Sequence, residues 1–350
     1  MYGRANARYG VILTGLLASM SAMADCSFVS GAQNATMAFQ FPQITVGRNV
    51  PVGAEVYRQN FVPGSAIQLN CALNALPYLL IKKLSGTATL SGFGPGVYNT
   101  GVTGIGVRFL DSDNGNQMLP TAGLSLLLCV ATTCPLTLRD NLRFTVSFIK
   151  TSDTVIPGTI QGSALPTVQN NIGLLALQSP ILTVALSGGL QVVSQTCQTP
   201  NVTVPMGTQR LSEISSNGYT EWQRFSINLN NCPPFHGTYS LNSSNTLGHK
   251  LNTITFQLDP TMAGLSSQGI LSLNSTGLKD TAIAQGIGLQ VASDNGQPIV
   301  LSTPIDSGIT MLSVSSGYAI NLKARYVKLV GQTPTSGIAN ATATFTLNYQ

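Results

Sequence analysis

The chain has 350 residues, of which 43% are hydrophobic and only 8% charged, and its net charge of +5 is spread thinly. Ordinary soluble domains carry about a quarter charged residues, so an architecture of salt-bridged, solvated helices is excluded, and no basic cluster offers the footprint that nucleic acid requires. Abundant Gly, Ser, Thr and Asn point to an all-β chain, and the length points to roughly two domains.

The first element is an export signal. Arg4 and Arg8 precede the apolar run VILTGLLASM, and AMA at 22–24 places small residues where a signal peptidase reads. Residues 1–24 are therefore expected to be removed, leaving Asp25 as the mature N-terminus. The apolar run is too short to span a bilayer. Six cysteines suit an oxidising compartment. Six cysteines allow about 15 pairings; order and spacing favour Cys26–Cys71, Cys129–Cys134 and Cys197–Cys232. The first and last pairs would each contribute roughly 3–4 kcal/mol in the chain-entropy model. CVATTC (129–134) could also be half a zinc site, but its only histidine partners, His236 and His249, are remote in sequence; no metal or cofactor is expected.

The chain then reads as two halves. LSGGLQVVSQTC (186–197) looks like a junction, because Gly188 and Gly189 break the apolar strand SPILTVAL before a new cysteine-anchored segment. The expected divisions are a first domain over 25–187, a linker over 188–196 and a second domain over 197–350. GIGVRFLDSDNGN (104–116) and GIGLQVASDNGQ (286–297) echo each other, each an alternating strand followed by an Asn-Gly turn. Each half is expected to be an Ig-like β-sandwich. In the second half, strands are expected at 201–207, 222–232, 251–258, 286–291 and 318–327. The last runs through GIANATATFTLNYQ (337–350), where Ala339, Ala341, Ala343, Phe345, Leu347 and Tyr349 alternate with Asn340, Thr342, Thr344, Thr346 and Asn348. A closed sandwich needs one strand more than this count supplies.

NVTVPMG after Cys197, FSINLNNCP around Cys232, GIGLQVASDNGQP, and an ending with Gly337 fourteenth from the last residue and a penultimate Tyr349 together resemble a pilin domain of the bacterial chaperone–usher pathway. The first half, TGVTGIGVRF included, resembles more loosely the receptor-binding domains of two-domain fimbrial tip adhesins, type 3 fimbrial adhesins being the nearest. The resemblance implies an incomplete second sandwich whose groove accepts a strand from a periplasmic chaperone and then from an adjacent fimbrial subunit, an outer-membrane usher as a further partner, and a place at the bacterial surface. It assigns Gly337, Ala341, Ala343, Phe345, Leu347, Tyr349 and Gln350 to that groove. A shaft subunit would also carry a donor strand before its first cysteine; only Asp25 separates the expected cleavage site from Cys26, so the resemblance implies a tip position.

A receptor site, a host glycan or matrix protein being its implied ligand, is expected in the first half. Tyr57, Arg58 and Asn60 in EVYRQN, Tyr98 and Asn99 in GVYNTG, and Arg108 in GIGVRFL pair aromatic faces with hydrogen-bonding groups; Asp111, Asp113 and Arg139 are weaker candidates. A minor structural fimbrial subunit without a receptor is the alternative. An enzyme is not expected. The two histidines, read as turn or surface residues, adjoin no nucleophile motif, no paired catalytic carboxylates stand in an evident motif, and SDNG (112–115) lacks the ligand pattern of a calcium loop.

Overall fold

Strand Phe144–Lys150 reads FTVSFIK, alternating aromatic and β-branched residues with polar ones as a pleated strand favours. In the structure, a computed structural model, Phe144, Val146 and Phe148 are fully buried on one face of it. The structure describes residues 26–72, 79–86, 89–125, 133–174, 177–241, 247–274 and 282–350; the export signal expected over 1–24 lies outside them.

Phe144–Lys150 belongs to a seven-stranded sheet in the order Leu247–Lys250, Thr238–Leu241, Glu55–Phe61, Phe144–Lys150, Ile105–Asp111 and Tyr98–Asn99, with Gln117–Met118 paired to Ile105–Asp111 off that path. A five-stranded sheet, ordered Thr121–Ser125, Leu79–Ser85, Thr167–Leu174, Leu177–Ser187 and Asn34–Ala38, shares a core with it through Leu80, Val168, Ile172 and Val184. A second core lies between the four-stranded sheet Gln223–Cys232, Ser316–Lys328, Ile287–Ser293, Ile270–Leu271 and the three-stranded sheet Ile305–Thr310, Thr253–Pro260, Ala343–Tyr349. The chain is thus all-β, with two sandwich cores. Each fully buried aliphatic or aromatic side chain in them contributes roughly 1.5–3 kcal/mol.

Cys26 pairs with Cys71 and Cys197 with Cys232, as spacing favoured. Cys134 is also disulfide-bonded; its expected partner, Cys129, lies outside the described residues.

Two expectations need correction. Residues 188–196 are not simply a linker. Gly188, at φ +78°, lets the chain turn a corner that a side chain would strain. Gly189–Val193 then forms a strand between Gly158–Gln161, antiparallel, and Gln43–Thr45, parallel, with Leu190 and Val192 in the first core. Residues 201–207, expected as a strand, form none and pair with no strand among the described residues.

The two halves also share a seam. Tyr239, on a second-half hairpin, lies opposite Tyr57 in parallel pairing, so that hairpin extends the first half's sheet. The Tyr239 ring stacks on Phe41 at 3.9 Å and on His249 at 4.4 Å. His249 Nε2 donates to the His236 carbonyl (2.8 Å), and the His236 backbone N–H donates to Thr45 Oγ1 (2.7 Å). Both histidines therefore belong to this seam, His249 at an exposed strand position and His236 half-buried in the chain before it. At its other end the Asn49 backbone N–H donates to the Tyr349 carbonyl (3.1 Å), and the Tyr349 N–H donates to Asn49 Oδ1 (3.2 Å). A Cβ on Gly47 would stand 2.3 Å from the Tyr349 carbonyl oxygen, so only glycine fits there. Lys150, fully buried, holds this loop by donating to the Arg48 and Val50 carbonyls, both at 2.7 Å; burial pushes its ammonium below the usual lysine range.

Candidate functional site: an open groove and a cationic sheet face

Val202, Val204 and Met206 alternate in sequence, and so do Ala339, Ala341, Ala343 and Phe345. The two segments both line an open cavity of about 560 Å³. Its floor is apolar: Phe225, Ile227, Leu258, Leu289, Val291 and Tyr326 all reach it. Ala343–Tyr349 is the last strand of its sheet, paired on one side with Thr253–Pro260, so its other backbone edge runs along the cavity. An open apolar slot bounded by an unpaired strand edge is a template for another strand.

Of the residues expected in this groove, Ala341, Ala343 and Phe345 line it. Leu347 packs against the second core, and Tyr349 is buried in it, its ring parallel to that of Phe235 at 6.0 Å. Burial raises the Tyr349 phenol. Gly337 lies beside residues 282–284, where a Cβ would come within 2.4 Å of the Ala284 nitrogen. Gln350 continues the ladder, its backbone exchanging hydrogen bonds with Thr253 at 3.1 Å. The sequence alternation marked the strand but not where along it the cavity ends. It also left out Val202, Val204 and Met206 as lining residues, although their period of two was legible.

In the first half, strand register sorts the candidates. Cross-strand partners share a face. Ser147 lies opposite both Arg58 and Arg108, Thr145 opposite Asn60, and Gly106 opposite Asn99. Arg58, Asn60, Asn99 and Arg108 therefore lie on the outward face. Glu55 Oε2 accepts from Arg58 Nη1 (3.2 Å), Arg108 Nη2 (3.4 Å) and Ser147 Oγ (2.5 Å). Arg58 Nη2 donates to Asn116 Oδ1 (3.2 Å), Arg108 Nε to Ser147 Oγ (3.2 Å), and Thr145 Oγ1 to Asn60 Oδ1 (2.7 Å). Two guanidinium groups share one carboxylate, which leaves one excess positive charge in a half-buried polar network. Asn99 donates to Thr89 Oγ1 (3.0 Å) at the sheet's far edge.

Three candidates do not belong to this surface. Tyr57 is 1% exposed and points into the core against Phe39 and Phe148. Tyr98 packs on the core beside Phe109. Asp111 is buried against Lys82. Asp113 stays at the turn, accepting from Asn141 (3.4 Å), and Arg139 donates to the Pro63 carbonyl (3.3 Å).

Burial, opposed by weaker hydrogen bonds from Phe41 and Gln40, raises the Tyr57 phenol from 10.0 to about 12. The unfolded chain then loses this proton first as pH rises. The stability tied to the neutral phenol is complete below pH 10 and is lost between pH 10 and about 12, up to roughly 2–3 kcal/mol. The urea midpoint should fall across that window, and the fall should be smaller in Tyr57→Phe.

Residues 184–350 match the fimbrial protein family, and residues 37–188 match the MrkD-like receptor binding domain. A type-1 fimbrial protein subunit of Serratia marcescens is 29% identical over 169 residues, covering 46% of this chain and 83% of that protein. Among solved structures, the CupB6 tip adhesin of Pseudomonas aeruginosa aligns over 93% of both chains at 16% identity with a TM-score of 0.36. The receptor-binding domain of the Klebsiella pneumoniae adhesin MrkD1P aligns over 50% of this chain and 98% of its own at 22% identity with a TM-score of 0.33. The two family matches, in this order along the chain, define a class of pilus surface protein, a receptor-binding unit joined to a fimbrial unit. The chain carries a MrkD-like receptor-binding domain followed by a fimbrial-protein domain, the make-up of a two-domain fimbrial adhesin.

Proposed function

We propose that this protein sits at the tip of a fimbrium, binds a host glycan or matrix protein through the outward face around Arg58, Asn60, Asn99 and Arg108, and joins the fimbrium by accepting a donor strand in the groove between 202–207 and 339–345. The groove carries the reading: an apolar slot with an unpaired strand edge suits β-augmentation, in which main-chain hydrogen bonds give affinity and side-chain pockets give specificity. A periplasmic chaperone supplies the first strand, the usher receives the complex at the outer membrane, and the adjacent subunit supplies the final strand. The tip position is supported by Gly189–Val193, just before Cys197, which is paired along both edges within the first half and so is not free to be donated. The division between the two domains falls after Val193.

The test is thermal. An alternating apolar peptide of donor-strand pattern, added at about a hundred times its Kd, should stabilise the protein by about 2.7 kcal/mol, and a scrambled peptide should not. No shift with any such peptide or with a chaperone overturns the groove reading. Arrays of glycans and matrix proteins then test the head. A receptor lost in Arg58→Ala with Arg108→Ala supports the assignment. An intact groove with no array ligand makes the protein a minor structural subunit.

A further inference from the structure

The alternation that turns Ala324 and Tyr326 into the groove turns Lys323 and Arg325 to the opposite face of the same sheet. On that face two aromatic residues stand beside them. Helix Leu211–Asn217 stops at Gly218, which takes the left-handed conformation and donates its N–H to the Ile214 carbonyl. The chain then runs beside Ser316–Lys328, with the Thr220 N–H on the Tyr326 carbonyl at 3.0 Å. This places Tyr219 and Trp222 around Arg325. The Arg325 guanidinium carbon stands 4.3 Å from the Tyr219 ring centroid and 4.2 Å from that of Trp222. Lys323 Nζ stands 5.0 Å from the Trp222 ring.

These contacts fix cations in place. Arg325 Nε donates to Gln290 Oε1 (3.0 Å), while Nη1 and Nη2 have no partner among the described residues. Lys323 Nζ donates to the Asp294 carbonyl (3.0 Å), and Arg224 reaches the Asp294 carboxylate at 3.7 Å with its side chain 80% exposed. Glu221, exposed between the two aromatic residues, is the other acid in this segment. Three cations therefore meet two acids, in a chain that is only 8% charged. A guanidinium held between rings presents its planar fork with little rotamer freedom left to lose, which suits bidentate binding of an oxyanion. Lys323, two strand positions away, stands about 7 Å along the strand, so one extended chain carrying repeated anions can meet both cations. Base stacking fits less well, because Arg325 already occupies the facing sides of both rings.

We propose that this face of the fimbrial domain binds an acidic polysaccharide, its carboxylates or sulfates seated on Arg325 and Lys323. The site is separate from the outward face of the first half and lies behind the groove, so filling the groove leaves it open.

The experiment measures binding of the full-length protein to immobilised heparin, which is sulfated, and to hyaluronan, which carries carboxylates alone, at low and physiological salt. Affinity for at least one polymer should fall at least tenfold in Lys323→Gln with Arg325→Gln, weaken as salt rises, and stay within twofold in Arg58→Gln with Arg108→Gln. Trp222→Ala should also weaken binding, because the clamp on Arg325 is lost. Should the Arg325 variant fail to fold, Arg224→Gln with Lys323→Gln, which leaves the clamped Arg325 in place, carries the same expectation. Binding to neither polymer, unchanged affinity in the folded cationic variants, loss in the Arg58 and Arg108 variant instead, or tighter binding of single-stranded DNA than of either polymer overturns the proposal.

Discussion

Replacing Lys82 by Ala is expected to destabilise the first half by about 3–5 kcal/mol, the penalty for leaving one member of a buried ion pair without the other. Lys82 and Asp111 have side chains only 2% exposed and form a direct salt bridge. Lys82 also donates to the Arg143 carbonyl at 3.0 Å, and Asp111 accepts from Thr121 Oγ1 at 2.6 Å and the Asp113 N–H at 3.1 Å. The pair thus ties strand Leu79–Ser85 of one sheet to the end of strand Ile105–Asp111 in the other. Burial holds the Lys82 ammonium below the ordinary lysine range, with Asp111 opposing the shift. Changing both residues together, Lys82→Met with Asp111→Leu, should cost far less than either single change, because no charge is then stranded in the core. Urea midpoints of the four proteins give the coupling. A double variant as unstable as the sum of the singles would rule out the pair as the source of the effect.

The second large effect belongs to Phe345. It lines the groove and is only half-buried there, opposite Leu258 on the neighbouring strand. With a strand in the groove it becomes a full core residue. Phe345→Ala should then lower the stability of the donor-filled protein by about 3–5 kcal/mol, with a smaller loss when the groove is empty. Thr346 points away and is exposed, and Thr346→Ala should stay within about 0.5 kcal/mol in both states. Melting each variant with and without donor peptide separates the two contributions. Equal losses for Phe345→Ala in both states would mean that the groove does not close over this ring.

Periodicity made the ending legible. Along 339–349 one face meets the core and the other meets solvent, so apolar and polar residues alternate. The same pattern in NVTVPMG told which side chains turn inward, but it could not tell that the backbone beside them lacks a neighbour, since a strand is defined by its partner and the pattern records only the face. In EVYRQN the reading failed for a different reason. Val56 and Tyr57 are both essentially buried, because the register with Phe144–Lys150 shifts across Val56, and a β-bulge there breaks the period of two on which the reading relied. The buried lysines and the pairing of Tyr57 with Tyr239 depend on contacts between distant parts of the chain, for which a single sequence holds no local signal. The cation–aromatic cluster was divided in the sequence between a short helix's exit and a strand begun about a hundred residues later.

Traction between the halves would meet two connections at once, the covalent stretch 194–196 and the seam at Tyr57, Tyr239, Asn49 and Tyr349. The seam must shear before that short stretch can straighten, so early extension is resisted by hydrogen bonds and stacked rings that can re-form when tension is released. The pull does not stop at the seam. Asn49 grips the backbone of Tyr349 on both its N–H and its carbonyl, and Tyr349 ends the strand that walls the groove. Force drawn through the head is therefore delivered to the strand edge on which an inserted neighbour would hang, rather than to the covalent tether alone.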